Sequence, residues 1–459
     1  MRINLDIPLS IEEVQHAISS NIKSNISTKK NVTAICTNSK ECNEGDLFIA
    51  ISGENGTGED YVKDALSKHA LALSVSCQEG VITVNDTVSA LMEIAKYYKS
   101  KLKLRNTVSV TGSVGKSTTV KFISKIIGAK YKIHSPIGNF NNHIGVPLTI
   151  LGAPKDTEIL ITELGMNHEK EISALSRCVS PDIGLITCIG TSHIGNLGSR
   201  ENIAKAKAEI LDGMSGGPLL IPYNESLLSK LPNSMTVAHN SSLSDFRLYS
   251  EPSGHISFSS SYGEIDNFTF FDSREHILTD LAFAISVSQI IGISKDEIKR
   301  GISAITPADI RQRFIHLNRF TIFDDSYNAS WESIAADLKY LSGLNQPTGV
   351  FIGDVLELGD MSESIHESIG KAIAEAGVTH LYLYGQYAKS VEKGAVRHGF
   401  NRNNIYLNSD FPSPDISIKQ IREHSVDGEV ILFKASHKLR FDKIADLVAK
   451  EEKNNDKVR

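Results

Sequence analysis

Cysteine is sparse in this chain: five residues, at positions 36, 42, 77, 178 and 188, with no Cys-x-x-Cys pair among them. An odd, scattered set excludes a disulfide framework and carries no thiolate zinc signature, and it fits a reducing cytoplasm. Long apolar runs are absent as well. No stretch of 18 apolar residues occurs, and the opening MRINLDIPLSIEEVQ has no apolar h-region behind its early arginine, so neither secretion nor membrane insertion is expected. Positive charge is also lacking. Lys and Arg number 48 against 54 Asp and Glu, a formal net charge of -6, which offers no general attraction for nucleic acid or an anionic lipid surface. Any phosphate site must then be built locally.

What is present is a 459-residue soluble composition, 41% hydrophobic and 22% charged, with 33 Gly and 13 Pro in ordinary proportion. At roughly 150 residues per domain this predicts two or three compact units. Short apolar runs at 46–51, 70–75 and 81–84 predict a small α/β unit, closed by a helix over 87–103 and a boundary near 105. Apolar strand candidates at 107–110, 158–164, 183–189 and 218–221 alternate with helices, as a parallel sheet covered on both faces requires. Alternating patterns at 246–249, 255–259 and 267–271 predict antiparallel edge strands. An apolar helix over 277–291 and an amphipathic one over 295–302 precede a second boundary near 313. The last third repeats the rhythm, with strands at 320–325, 349–353, 381–385, 404–407 and 430–434 and a Trp331, Ile334, Leu338, Leu341 helix stripe; a doubly wound sheet is predicted. The tail from 450 to 459 is charged and expected to fray. The predicted fold is therefore α/β in three domains, 1–105, 106–313 and 314–459, with a central P-loop ATPase-like parallel sheet between a small α/β unit and a Rossmann-like one.

The segment Val108-Ser-Val-Thr-Gly-Ser-Val-Gly-Lys-Ser-Thr118 joins a buried strand to a helix. Gly112 and Gly115 let backbone N–H groups, those of Ser113 and Val114 among them, close around phosphate oxygens, Lys116 neutralises phosphate charge, Ser117 can ligate Mg²⁺, and Thr118 completes the ATP-binding loop. The usual first glycine, six residues before the lysine, is Val110 here, which argues against a generic GTPase or motor. Glu163 and His193 are placed at or just beyond the carboxyl ends of strands 159–164 and 183–189, in the crevice that holds this loop. A carboxylate and the loop hydroxyl suit Mg²⁺, and a histidine is a less usual ligand. Spacing alone singles out no lysine in Ala204-Lys-Ala-Lys-Ala-Glu-Ile210.

Together, the segments Thr111–Thr118, Gly138-Asn-Phe-Asn-Asn-His-Ile-Gly-Val-Pro-Leu-Thr149, Glu163-Leu-Gly-Met-Asn-His168, 204–210, Asp324-Asp-Ser-Tyr-Asn-Ala329, Gly353-Asp-Val-Leu-Glu-Leu-Gly359 and Lys434-Ala-Ser-His437 resemble the Mur ligase family of ATP-dependent amide-bond-forming enzymes. They occur in family order across residues 35 to 440. The Asn141–Asn142 loop and the Asp-Asp-Ser-Tyr-Asn-Ala and Gly-Asp-x-x-Glu-Leu-Gly segments resemble the branch that adds D-alanyl-D-alanine to UDP-N-acetylmuramoyl-tripeptide. The resemblance implies an N-terminal unit for the UDP-sugar, a central ATPase unit and a C-terminal unit that closes over the nucleotide and delivers the amine. It implies Lys116, Glu163, His193 and a CO₂-carbamylated Lys207 as the catalytic set, with Ser117, Glu163, His193 and Lys207 on metal. It also implies nucleotide contacts from Arg313 (with Arg311 as the alternative register), Asp325, Tyr327 and Asn328. Substrate contacts are implied for Ser39, Lys40, Asn141, Asn142, Lys434 and Ser436.

The implied cofactors are ATP and Mg²⁺, and the implied partners are the two small-molecule substrates, with no nucleic acid or membrane, the chain acting as a cytoplasmic monomer. The implied chemistry is an acyl phosphate formed from ATP and then attacked by the dipeptide amine. A sister ligase, a folylpolyglutamate-type ligase and a non-catalytic nucleotide-binding scaffold are the rival readings. The chain departs from the family pattern at Lys40, at Thr57-Gly-Glu-Asp60, at His437, and at His276-Ile-Leu-Thr-Asp280, which lacks two asparagines common there.

Overall fold

The first sheet begins earlier than its apolar runs suggest. In the computed structural model, which describes all residues except 28, 54–55, 252, 409–413 and 456–459, Arg2–Ser10 is a strand with Leu5 and Leu9 turned into the core. It lies at the sheet edge, antiparallel to Asn31–Cys36, and its register slips between Asn4 and Leu9. Pro8, which has no N–H to give, is accommodated in that irregular stretch of an edge strand. Asn31–Cys36, Asp46–Ile49, Leu71–Ser74 and Val81–Val84 run parallel, and Ile22–Ser24 closes the far edge antiparallel. Thr87–Lys101 follows as a helix capped by Asp86, whose side chain accepts the Ser89 N–H. Its Tyr98 hydroxyl donates to Ala153 O at 3.0 Å, tying this unit to the next.

The nine-stranded central sheet is parallel from Ile133–His134 through Phe246–Ser250 and antiparallel over its last two strands, His255–Ser260 and Gly263–Thr269. The expected antiparallel edge is present, and one further strand, Ser234–His239, lies inside it. The first strand, Asn106–Thr111, sits between Ile159–Glu163 and Ile183–Ile186. The chain goes first to one side of Asn106–Thr111, out to the edge at Ile133–His134 and back to Ile159–Glu163, and then crosses to the other side. That reversal leaves a crevice at the carboxyl ends of these strands, where ligands bind in open α/β sheets. One face is covered by Lys116–Ile127 and Glu275–Ile290. The latter is buried over most of its surface, with Phe283, Ile285 and Val287 packed near Phe122, Ile123 and Ile126. An all-round apolar helix is stable only when enclosed in this way.

The third sheet has the order Arg313–His316, Phe320–Asp324, Glu429–Lys434, Thr348–Ile352, His380–Tyr384, Ile405–Asn408, with the first strand antiparallel and the rest parallel. The edge strand Arg313–His316 has no apolar run and was not expected. The final helix, Phe441–Asn455, carries ordered backbone into the tail expected to fray, and residues 456–459 lie outside the described part. No helix among the described residues is long and apolar enough to cross a membrane.

Candidate active site

The phosphate loop begins late because Val110 and Thr111 are still strand, fully buried and paired with Glu163 and Ile186 respectively on the neighbouring strands. Gly112, at φ 150°, makes the turn, and a Cβ there would fall 1.9 Å from Thr187 Oγ1. The Thr187 hydroxyl in turn donates to Val114 O at 2.5 Å, bracing the loop from the next strand. Ser113 is held on both sides: its N–H donates to Cys188 O at 2.9 Å, and its hydroxyl accepts the Gly190 N–H at 2.9 Å. Gly115, at φ 88°, starts the helix, and no side chain caps it. Uncapped N–H groups and the positive end of the helix make an anion site. The Lys116 ammonium bonds to Gly112 O at 2.7 Å; burial pushes its pKa down, with Glu163 opposing. Thr118 is buried in the first helical turn.

Four side chains converge beside this loop. The Ser117 hydroxyl donates to Glu163 Oε2 at 2.5 Å, Asn141 Nδ2 donates to Glu163 Oε1 at 2.9 Å, and Arg311 Nη2 donates to Ser117 Oγ at 2.5 Å. Glu163 is 4% exposed, so its carboxylate is shielded from water. Hydroxyl and carboxylate oxygens this close suit a hard cation such as Mg²⁺. Lys207, on the helix Arg200–Ala208, is 2% exposed, and no hydrogen-bond or ion-pair partner holds its ammonium among the described residues. Burial, reinforced by Lys116, pushes its pKa well below the ordinary lysine value. As an ammonium it repels both Lys116 and a cation; as a carbamate it would join the anionic donors. The donor set fits a divalent metal in that form. His193 lies in the turn before Ile194–Leu197, with Nδ1 2.6 Å from Glu357 Oε2.

Arg313 does not reach the nucleotide cleft. Its strand pairs it directly with Asp324, its Nε donates to Asp324 Oδ2 at 2.5 Å, and Nη2 lies 2.8 Å from Asp446 Oδ1. Arg311, the alternative register, is the arginine at the phosphate loop, bound to Ser117 and stacked with its guanidinium carbon 3.7 Å from the Tyr327 ring centroid. Arg311, two residues before the edge strand, turns toward the loop, whereas Arg313 inside it is held by its strand pairing. Arg311→Ala is therefore expected to lower ATP turnover on the order of 10²-fold or more, while Arg313→Ala leaves turnover near the parent and lowers the melting temperature. Steady-state ADP release and thermal unfolding of both variants check this.

The remaining candidates are distributed around the cleft. Asn328 is exposed near Tyr327, whose ring is 5.1 Å from that of His437. Lys434 is fully buried, paired with Asp325 and lying 3.0 Å from Asp337 Oδ2. Burial raises both carboxyls, but Lys434 overrides it at Asp325, held below the usual range, while Asp337 stays well above. The Ser436 hydroxyl accepts the Leu356 N–H at 2.8 Å. Asn142 caps the helix Gly145–Leu151 by accepting the Gly145 N–H at 2.8 Å. Ser39 and exposed Lys40 stand on the short 3₁₀ turn Ser39–Glu41 of the first unit, where Lys68 Nζ donates to Ser39 O at 2.6 Å.

Residues 110–282 match the Mur ligase middle domain, and residues 311–437 match the Mur ligase glutamate ligase domain. A UDP-N-acetylmuramoyl-tripeptide–D-alanyl-D-alanine ligase from Bacillus subtilis (strain 168) is 32% identical over 436 residues, covering 91% of this chain and 93% of the relative. The chain belongs to the Mur ligase family. Among solved structures, MurF from Acinetobacter baumannii superposes with a TM-score of 0.86 at 24% identity, covering 98% of this chain and 100% of the other. MurF from Thermotoga maritima, in complex with ADP, gives 0.80 at 23%, covering 92% and 98%. These two share the three-unit fold.

One feature of this Mur ligase was visible in the sequence only as a departure. Asp280, where a family asparagine was expected, is buried beneath the phosphate loop, and a Cβ on Gly115 would lie 2.5 Å from its Oδ1. Its one hydrogen bond among the described residues is from Thr119 Oγ1 at 3.1 Å, and burial pushes its pKa well above the carboxylate range. Above the ordinary aspartate pKa, the folded protein keeps a proton that the unfolded chain has lost, so this group's contribution to stability falls as pH rises through the window between the two values. Asp280→Asn removes that slope. The variant is expected to gain stability over the parent from acidic to neutral pH in denaturant titrations; parallel pH dependences in the two proteins would refute it.

Proposed function

We propose that this chain uses ATP to join D-alanyl-D-alanine to UDP-N-acetylmuramoyl-tripeptide, completing the pentapeptide precursor of peptidoglycan. The observation that carries the reading is the joined set of Lys116, Ser117, Glu163 and Arg311 at the phosphate loop, in a chain 32% identical to a relative named for this ligation. Residues 1–105 would hold the UDP-sugar with Ser39 and Lys40, residues 106–313 the ATP, and residues 314–459 the incoming amine.

A carboxylate resists amine attack because its charge repels the nucleophile and oxide is a poor leaving group. The tripeptide carboxylate attacks the γ-phosphorus of ATP, the bond to ADP breaks, and an acyl phosphate forms. The dipeptide amine then attacks the acyl carbon, loses a proton, and inorganic phosphate leaves. Lys116 and Arg311 spread the charge that develops on the transferring phosphoryl group. Magnesium held by Ser117, Glu163, His193 and a carbamylated Lys207 would supply further charge neutralisation on the phosphates. Asp325, Tyr327 and Asn328 approach the nucleotide from the C-terminal side and Asn141 and Asn142 lie toward the peptide substrates, whereas Lys434, buried and paired with Asp325 and Asp337, and Ser436, buried and accepting the Leu356 N–H, brace the C-terminal unit from within rather than touch substrate. Closure of the C-terminal unit keeps water from the acyl phosphate.

The reading predicts ADP release that requires both UDP-muramoyl-tripeptide and D-Ala-D-Ala, and a hydroxamate when hydroxylamine replaces the dipeptide. A panel of amine substrates separates a sister ligase. ATP turnover with neither substrate, or folded protein yielding no hydroxamate and no pentapeptide, overturns it.

A further inference from the structure

The central and C-terminal units touch backbone to backbone at Gly195. The Gly195 N–H donates to Glu357 O at 3.0 Å. A Cβ on Gly195 would lie 2.6 Å from Gly359 N and 2.7 Å from Glu357 O, so only glycine permits this approach. The same contact brings the Glu357 carboxylate to His193, with Oε2 2.6 Å from Nδ1, a close approach that is not yet an aligned hydrogen bond and leaves Nδ1 with no other partner among the described residues. His193, at φ 65°, and Glu357, at φ 66°, both occupy the left-handed region, which side chains larger than glycine rarely adopt.

A histidine that binds metal through one ring nitrogen commonly donates from the other to a carboxylate, which fixes its tautomer and ring orientation. In most sites that carboxylate belongs to the same rigid unit. Here it arrives on the other unit, in the Gly353–Gly359 segment, so the His193 ring is oriented only when the units are together. We propose that Glu357 is a positioning residue that couples closure of the C-terminal unit to His193, fixing the Nδ1–H tautomer with Nε2 left for the metal. This inference rests on the ligase reading of the cleft. Its consequence is that the metal site is incomplete, and ATP is not committed, until the amine-bearing unit has docked.

Glu357→Gly and Glu357→Gln test it in the full-length protein. Glycine adopts φ 66° without strain, so the first variant deletes the carboxylate without burdening the turn, and thermal unfolding verifies that it folds. Glutamine keeps an oxygen that can accept the Nδ1–H. In metal-free protein, the imidazole nitrogen chemical shifts of His193 should report the Nδ1–H tautomer in the parent and in Glu357→Gln, and a tautomer mixture in Glu357→Gly. Mn²⁺ affinity, measured by electron paramagnetic resonance with ADP present, should fall about 10- to 100-fold in Glu357→Gly and largely recover in Glu357→Gln. kcat should fall by a similar factor while KM for D-Ala-D-Ala holds. An unchanged tautomer and unchanged Mn²⁺ affinity in Glu357→Gly overturn the proposal, even if the parent ligates normally. If the parent fails to ligate yet the tautomer and Mn²⁺ effects appear, the positioning role stands and the ligase reading falls.

Discussion

Lys116→Ala is expected to yield a folded protein whose ATP turnover drops on the order of 10²–10³-fold. The side chain opens the helix Lys116–Ile127 and is only partly buried, and its ammonium bonds to the loop's own Gly112 O rather than bridging the core. Removing it leaves the strand, both positive-φ glycines and the Thr187 brace in place, so the melting temperature should move little. What disappears is the positive charge at the loop when the β,γ-bond of ATP breaks. Lys116→Arg should not restore turnover, because a planar guanidinium cannot occupy the narrow volume of an ammonium inside a closed loop. Single-turnover ADP formation together with thermal unfolding checks this; ATP binding and cleavage at the parent's rate would remove the phosphate loop from the mechanism.

The second large effect is expected at Lys207. Burial without a counter-ion among the described residues depresses the Lys207 pKa, which enlarges the share of free amine, the form that reacts with CO₂, over that of an exposed lysine at the same pH. Mass spectrometry of the intact parent under gentle conditions should show one added CO₂. CO₂-free buffer should suppress ligation and bicarbonate should restore it. Lys207→Ala and Lys207→Met should both lose on the order of 10²-fold or more in turnover, with no response to bicarbonate. Stability runs the other way. Between the depressed folded pKa and the ordinary lysine value, the unfolded chain binds a proton that the folded one does not, so uncarbamylated parent gains stability as pH rises through that window. Lys207→Met should be more stable than CO₂-free parent at neutral pH, with the gap narrowing toward alkaline pH. Full activity in Lys207→Ala would dismiss the carbamate.

Much of the architecture was legible along the chain. Val81–Val84 was read at the same residues, and the helix expected over 87–103 runs Thr87–Lys101. Ser234–His239 was missed because only Val237 and Ala238 in it are buried, too few for an apolar run. Arg2–Ser10 does alternate at Ile3, Leu5, Ile7 and Leu9, but Pro8 interrupts the pattern within the strand. At the site, the departure of Val110 from the usual glycine marked where the loop starts. The choice between Arg311 and Arg313 was not legible, since the two differ only in whether the residue falls before or inside an edge strand, and no periodic pattern marks that start.

Residues 108–118 by themselves determined a strand, a turn through two glycines and a helix opened by Lys116, because backbone freedom, capping and side-chain period depend on neighbours along the chain. Folding in three dimensions decided the rest. It placed Glu163 beside Val110 at the point where the sheet reverses its winding, enclosed Lys207 without a counter-ion among the described residues, turned Arg311 onto Ser117, and brought Glu357 to His193. Charge and burial act through distance in space, and residues more than a hundred positions apart become neighbours only once the sheets and units have packed.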